Sequence, residues 1–61
     1  MTNNRNRIDK AIEATEYDIE IIYDINEGRD FVEIVGDIGG DAVTRRVYFD
    51  ENDEIVRISA K

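Results

Sequence analysis

Carboxylates are the only abundant chemically active side chains in this chain. It contains 15 Asp and Glu residues, no Cys and no His, and its single Ser is Ser59. A nucleophile–base pair of the Ser–His or Cys–His kind therefore has no members here. Paired carboxylates act as general acid and base when a dry pocket raises the pKa of one of them. Asp18, Glu20 and Asp24 alternate with apolar residues, which indicates an exposed edge strand, so we expect no enzymatic activity.

Two short segments have the composition of ligand-binding loops but lack the positions that such loops need. Residues 50–54 read Asp-Glu-Asn-Asp-Glu, like the start of a calcium loop. Position six of that loop should be Gly and is Ile55, and position twelve should be Glu and is Lys61. Residues 36–41 are rich in glycine, but they do not match G-x-G-x-x-G and no helical pattern follows them. We interpret both segments as turns and expect no metal and no cofactor.

The charge balance of the chain predicts which partners it attracts. The 15 acids stand against 8 bases, for a net charge of −7. Such a charge repels nucleic acids and anionic membranes, and it attracts basic proteins. No stretch approaches the roughly 20 apolar residues of a membrane span, and the polar, basic residues 1–7 predict no secretory signal. We therefore expect a cytoplasmic protein with a basic protein partner, although an acid-rich, Lys-poor composition also fits a high-salt environment.

Strands dominate the elements that must position these carboxylates. Apolar residues occupy every odd position of residues 17–25, and acids occupy the even positions except Ile22. Because successive side chains of a strand point to opposite faces, this segment predicts a strand with one apolar and one mainly carboxylate face. Three more strands are predicted after turn residues at 26–29, 39–40 and 51–53, over residues 30–38, 41–50 and 54 to 59 or 60.

The fold class follows from the short connections and from one helical stripe. Ile8, Ala11, Ile12 and Thr15 have the spacing of one helix face. Connections of two to four residues join antiparallel strands, because parallel strands need long crossovers. The sequence predicts a single small α+β domain over residues 1–61. Its short N-terminal helix packs on a four-stranded antiparallel β-meander of order 1-2-3-4.

The predicted register divides the sheet into two faces. Closing the hairpins on residues 27–28 and 39–40 pairs Ile21 with Ile34 and Val32 with Val47. Arg45 shares their face, where we expect its stem to pack and its head to reach solvent. The helix should cover this inner face, which collects Tyr17, Ile19, Ile21, Tyr23, Ile25, Val32, Ile34, Ile38, Val43, Val47 and Phe49.

The other face carries the predicted interaction site. Phe31 lies opposite Tyr48 and Glu33 lies opposite Arg46, and both are favourable cross-strand pairs. An apolar cluster on a face that one short helix cannot also cover is typical of an interaction surface. Phe31 and Tyr48 are the expected anchors, and the acids are expected to steer a basic partner. The predicted interaction residues are Asp18, Glu20, Ile22, Asp24, Phe31, Glu33, Val35, Arg46 and Tyr48.

The last hairpin has a resemblance of its own. Residues 47–56, Val-Tyr-Phe-Asp-Glu-Asn-Asp-Glu-Ile-Val, resemble the closing hairpin of PepSY domains. Those domains commonly have Gly where this chain has Asp53, and they are usually exported. The resemblance covers this hairpin alone, so it implies a hairpin and assigns no family.

Three functional hypotheses follow. The favoured one is a non-enzymatic acidic protein-interaction module, acting as an inhibitor, adaptor or accessory subunit through the outer sheet face. The second is a homodimer that uses the same face. The third is an acidic nucleic-acid mimic that blocks a nucleic-acid-binding protein. Carboxylates at every second strand residue lie about 6.8 Å apart, whereas a DNA duplex has one charge per roughly 1.7 Å, so mimicry is less favoured.

Overall fold

One helix and four strands form the structure. The computed structural model describes residues 4–60, with side chains from Arg7 onward, and residues 1–3 and 61 lie outside the described residues. The strands form one antiparallel sheet of order β1-β2-β3-β4, which confirms the predicted α+β meander. The elements are α1 (Asn4–Thr15), β1 (Ile21–Glu27), β2 (Phe31–Ile38), β3 (Asp41–Phe49) and β4 (Ile55–Ser59).

Helix α1 uses the predicted apolar stripe to pack on the two central strands. Ala11 and Thr15 are buried against the sheet, and Ile12 packs beside them. The Thr15 hydroxyl donates a hydrogen bond of 2.9 Å to the Ala11 carbonyl, so its burial leaves no polar group unpaired. The chain leaves the helix in a tight turn, in which the Asp18 and Ile19 amides both donate to the Thr15 carbonyl at 2.9 and 2.8 Å.

The core lies between α1 and the inner face of β2 and β3. The alternation of β2 buries Val32 and Ile34 completely, and β3 adds Val47 and Phe49. Fully burying one such side chain contributes about 1.5–3 kcal/mol, so these few residues supply much of the stability of a 61-residue chain. The buried hydrophobic residues are Ala11, Ile19, Val32, Ile34, Val47 and Phe49.

The predicted register of the second hairpin is confirmed. Val32 pairs with Val47, and Gly39 and Gly40 form the turn with φ angles of 59° and 90°. Glycine adopts such positive φ values without steric cost, which is why this dipeptide closes the hairpin where the sequence predicts.

The predicted register of the first hairpin is wrong. Ile25, not Ile21, pairs with Ile34, and Ile21 pairs with Asp37. The helix exit turn and the following connection take up residues 16–20, so β1 starts four residues later than predicted. Tyr23 is an extra residue between the pairs Ile22–Gly36 and Asp24–Val35, which makes it a β-bulge.

This shift overturns three of the predicted core positions. Tyr17, Ile21 and Tyr23 are 82%, 54% and 62% exposed, respectively. Ile19 stays in the core because it lies in the connection beneath the sheet, and Ile25 packs against the core from β1. The extra residue of a bulge reverses the alternation of the strand. Residues before the bulge therefore point to the opposite face from the one that an uninterrupted alternation would give them.

The Arg45 head group also differs from its prediction. Its stem lies on the inner face as expected, opposite Ile34. Its Nε donates to Asp18 Oδ2 at 2.9 Å, however, instead of reaching solvent freely. The helix exit turn brings Asp18 to this position, and an ion pair there satisfies both charges at the margin of the core.

The last hairpin ties β4 to the helix. Arg7 Nε donates to Asp53 Oδ1 at 2.7 Å, and Lys10 Nζ donates to the Asp53 carbonyl at 2.7 Å. Strand β4 has a bulge of its own at Val56, between the pairs Tyr48–Arg57 and Phe49–Ile55. Both edge strands therefore depart from a regular ladder.

Candidate protein-binding surface

The outer face of the sheet is the side opposite α1, and no element among residues 4–60 covers it. Strand pairing assigns its members, because directly paired residues of antiparallel strands share a face. Tyr23 is the bulge residue and has no paired partner, but the hydrogen bond from its hydroxyl to Asp37 places its ring on the same face. The outer face comprises Ile21, Tyr23, Asp24, Asn26, Phe31, Glu33, Val35, Asp37, Ala42, Thr44, Arg46, Tyr48, Arg57 and Ser59.

The centre of the outer face is an aromatic pair with a guanidinium on each ring. The centroids of Phe31 and Tyr48 are 5.5 Å apart at an interplanar angle of 53°. The Arg46 guanidinium lies 4.7 Å from the Phe31 centroid, and the Arg57 guanidinium lies 4.3 Å from the Tyr48 centroid. Both rings are half-buried. The predicted anchors are therefore already engaged by cations of the same chain.

Arg46 is held at this centre by two further groups. Its Nε donates to Glu33 Oε2 at 3.2 Å, which confirms the predicted cross-strand pair. The Tyr48 hydroxyl, and after it the Glu33 carboxylate, raise the pKa of Arg46 above its ordinary value. Arginine keeps its charge at any ordinary pH, so the guanidinium contributes a permanent positive charge to this half of the outer face, and the Glu33 bond holds it there.

The exposed apolar part of the outer face lies at its β1 edge. Ile21 and Tyr23 expose more than half of their surface there. The Tyr23 hydroxyl donates to Asp37 Oδ2 at 2.9 Å, and this hydrogen bond is the main cause that raises the pKa of Tyr23. Asp37 Oδ1 accepts the Gly40 amide at 3.0 Å, which fixes the carboxylate in place. We call Ile21, Tyr23, Asp24 and Asp37 the β1 corner.

Of the nine predicted interaction residues, six lie on the outer face. Strand pairing assigns Asp24, Phe31, Glu33, Val35, Arg46 and Tyr48 to it.

The other three predicted interaction residues do not lie on the outer face. Asp18 bonds to Arg45 on the helix side, and Ile22 pairs with Gly36, which shares the face of Ile34. Glu20 lies at the second turn, where its Oε1 accepts the Gly39 amide at 3.2 Å. Asp18 and Glu20 precede β1 because the strand starts late, and the bulge at Tyr23 places Ile22 on the inner face.

Ile21, Tyr23 and Arg57 are among the members of the outer face that sequence reasoning missed. Ile21 and Tyr23 lie on this face only because of the bulge, which has no local signal such as a Gly or Pro. Arg57 reaches Tyr48 because the last turn places it directly opposite. The acidic turn at residues 50–54 left that register open.

The charges of the outer face are divided between its two edges. The described residues contain four acid–base ion pairs, and none involves β1, Asp37 or β4. Asp24 and Asp37 therefore leave the β1 side negative. Arg46 and Arg57 make the β3–β4 side positive, although Glu33 offsets Arg46. Since exposed charges act over about 8–10 Å, this division orients a charged partner as it approaches.

The described residues lack two features of small-ligand sites. They contain no pocket and no group of acids arranged to hold a metal ion. In the acidic turn, Asp50 Oδ1 accepts the amides of Asn52 and Glu54 at 2.8 and 3.0 Å, and these bonds lower the pKa of Asp50. That carboxylate shapes a turn, as the sequence predicts. Within residues 4–60, no helix combines the length and the apolar character needed to cross a membrane.

Comparison of the chain with protein-family models, with curated proteins and with solved structures finds no match.

Proposed function

We propose that this chain is a non-enzymatic, acidic protein-interaction module that binds a basic protein partner through the outer face of its sheet. The observation that carries the proposal is the β1 corner, where exposed apolar side chains adjoin carboxylates that form no ion pair with any described residue. A few anchors, often aromatic, supply most of the binding energy of an interface, and charges set its on-rate and orientation. A module of this kind would act as an inhibitor, adaptor or accessory subunit.

The aromatic centre has a supporting role in this proposal. Phe31 and Tyr48 are half-buried and stacked with Arg46 and Arg57, so they offer a preformed, rigid platform. A rigid surface loses little conformational entropy when a partner binds. Binding therefore begins at the exposed β1 corner and extends over the platform.

A homodimer is the second candidate, and the division of charge between the two edges of the outer face favours it. A two-fold axis parallel to the strands would lay the negative β1 side of one copy over the positive β4 side of the other. Against it stands the net charge of −7 on each copy, which opposes self-association. The monomeric module is therefore the better proposal.

Nucleic-acid mimicry receives less support from the same face. A mimic needs a continuous row of negative charge to replace the phosphates of a duplex. Arg46 and Arg57 interrupt any such row on the outer face.

The test combines sedimentation with capture from extract of the native host. Sedimentation at micromolar concentration should give a monomer, and the immobilised chain should retain a basic protein that rising salt releases. A variant with Asp24→Asn and Asp37→Asn should retain much less of that protein. A control variant with Asp9→Asn and Glu13→Gln, exposed on the helix, removes the same charge and should bind normally. Equal loss in both variants, salt-independent capture or a stable dimer would contradict the proposal.

A further inference from the structure

Guanidinium groups lie over three of the five described aromatic rings. Arg46 stacks on Phe31, Arg57 on Tyr48, and Arg7 on Phe49 at 5.3 Å from the centroid. In two of these stacks a carboxylate binds the same guanidinium. Glu33 accepts from Arg46 Nε, and Asp53 accepts from Arg7 Nε. The recurrent unit is thus an aromatic ring, a carboxylate and an arginine.

Tyr23 has the first two parts of this unit and lacks the third. Its ring is 62% exposed, and its hydroxyl is bonded to the Asp37 carboxylate. Asp24 is its neighbour in the chain, and its carboxylate takes part in no ion pair with the part of the chain that the structure describes. The segment 11–28 contains six acids and no base, so local sequence supplies no arginine for this ring.

We propose that Tyr23 and Asp37 form a receptor for an arginine side chain of the protein partner. This inference rests on the proposed binding function and specifies what the β1 corner recognises. The guanidinium lies on the open face of the Tyr23 ring and donates to Asp37, while Asp24 adds a second negative charge. Arginine fits this arrangement better than lysine, because its planar group stacks on the ring and donates from a fixed fork at the same time.

The hydrogen bonding of Asp37 leaves room for this ligand. Each carboxylate oxygen offers about two acceptor positions, and each oxygen of Asp37 uses one, for the Tyr23 hydroxyl and for the Gly40 amide. One further N–H can therefore bind at each oxygen. The two existing bonds hold the ring and the carboxylate in place before the partner arrives, which lowers the entropic cost of binding.

The bulge favours side-chain recognition over addition of a partner strand. A regular edge strand is a template for backbone pairing, and bulges are one device that prevents it. The bulge at Tyr23 interrupts the regular ladder of β1 and turns the Tyr23 ring to the outer face. The partner arginine therefore approaches over the outer face, where the ring is open.

The experiment is an NMR titration of the isotopically labelled chain with two synthetic peptides whose ends are blocked. Both peptides consist of Gly and Leu apart from two basic residues, which are Arg in one peptide and Lys in the other. The Arg peptide should shift the amide resonances of the β1 corner and bind several-fold more tightly than the Lys peptide. Tyr23→Leu should lower the affinity for the Arg peptide by about two- to fivefold, the usual effect of one exposed cation–π contact. Tyr23→Phe keeps the ring and should keep most of the preference for Arg.

Variants that remove the same charge at different places distinguish specific binding at this receptor from general electrostatic attraction. Asp37→Asn should lower the affinity for the Arg peptide several-fold. Asp9→Asn removes the same charge on the exposed side of the helix and should change that affinity little. Unchanged melting temperatures establish that each variant is folded. Equal affinity for the two peptides, or equal losses in Asp37→Asn and Asp9→Asn, would overturn the receptor and leave the basic-partner proposal standing. Absence of binding by either peptide at low salt would count against both.

Discussion

Ile34 and Ile21 provide a matched pair that tests the arrangement of the sheet. The predicted register paired them as core neighbours, whereas the structure buries Ile34 completely and leaves Ile21 54% exposed. Truncation of each to Ala removes the same atoms from the same kind of element. The two variants should therefore differ only through the environments of the two side chains.

The expected magnitudes are far apart. Ile34→Ala leaves a cavity in the closed space between α1 and the sheet, and such truncations cost about 2–5 kcal/mol. A domain of this length has a total free energy of unfolding of about 3–9 kcal/mol, so Ile34→Ala removes a large share of it. Ile21→Ala loses contacts on one side only and should cost about 1 kcal/mol or less.

Urea denaturation followed by circular dichroism measures both variants. A loss of 1 kcal/mol shifts the melting temperature of so small a domain by about 8 °C, so thermal melts give an independent check. Equal costs for the two variants would mean that Ile21 is buried. The bulge at Tyr23 and the β1 corner would then be wrong, and the receptor inference would fail with them.

Two further predictions address the backbone of the sheet and of the last turn. Gly36→Ala should lower the free energy of unfolding by about 1–3 kcal/mol in urea denaturation, because its Cβ would collide with the Ile21 carbonyl oxygen, and backbone cannot move aside as a flexible side chain can. A fully stable Gly36→Ala chain would mean that β1 does not approach β2 so closely. Asp50→Asn should be less stable than wild type at neutral pH. The pKa of Asp50 is lower in the folded chain than its ordinary value of 3.8, so its contribution is present above that value and lost as the pH falls through the folded pKa. Urea midpoints of the two chains should therefore converge in strong acid, and a constant difference from pH 7 to pH 2 would refute this role.

The sequence predicted the fold class for reasons that are local in the chain. Gly39 and Gly40 favour a tight turn, and residues on either side alternate without interruption, so β2 and β3 pair as predicted. The helix stripe of Ala11, Ile12 and Thr15 is buried by packing against that sheet. Here local propensity and burial favour the same arrangement.

The candidate surface was predicted only in part, because β1 depends on contacts outside itself. Its alternating pattern extends from residue 17, and nothing in the pattern shows that the helix exit turn takes up the first four residues. Gly36 has no side chain, so the Ile21 carbonyl and the Ile19 side chain approach it closely, and the bulge follows at Tyr23. These are contacts between residues that are distant in sequence.

The sequence by itself determined the meander, its central hairpin and the excess of acid, since each follows from periodicity, turn chemistry or composition. Only the tertiary structure decided which aromatic rings are covered by arginine. Each stack joins residues at least eight positions apart, and it depends on strand register, which one extra residue in an edge strand changes. Register in turn depends on the balance of burial over the whole sheet. The exposed ring of Tyr23 beside Asp37 is a product of that balance.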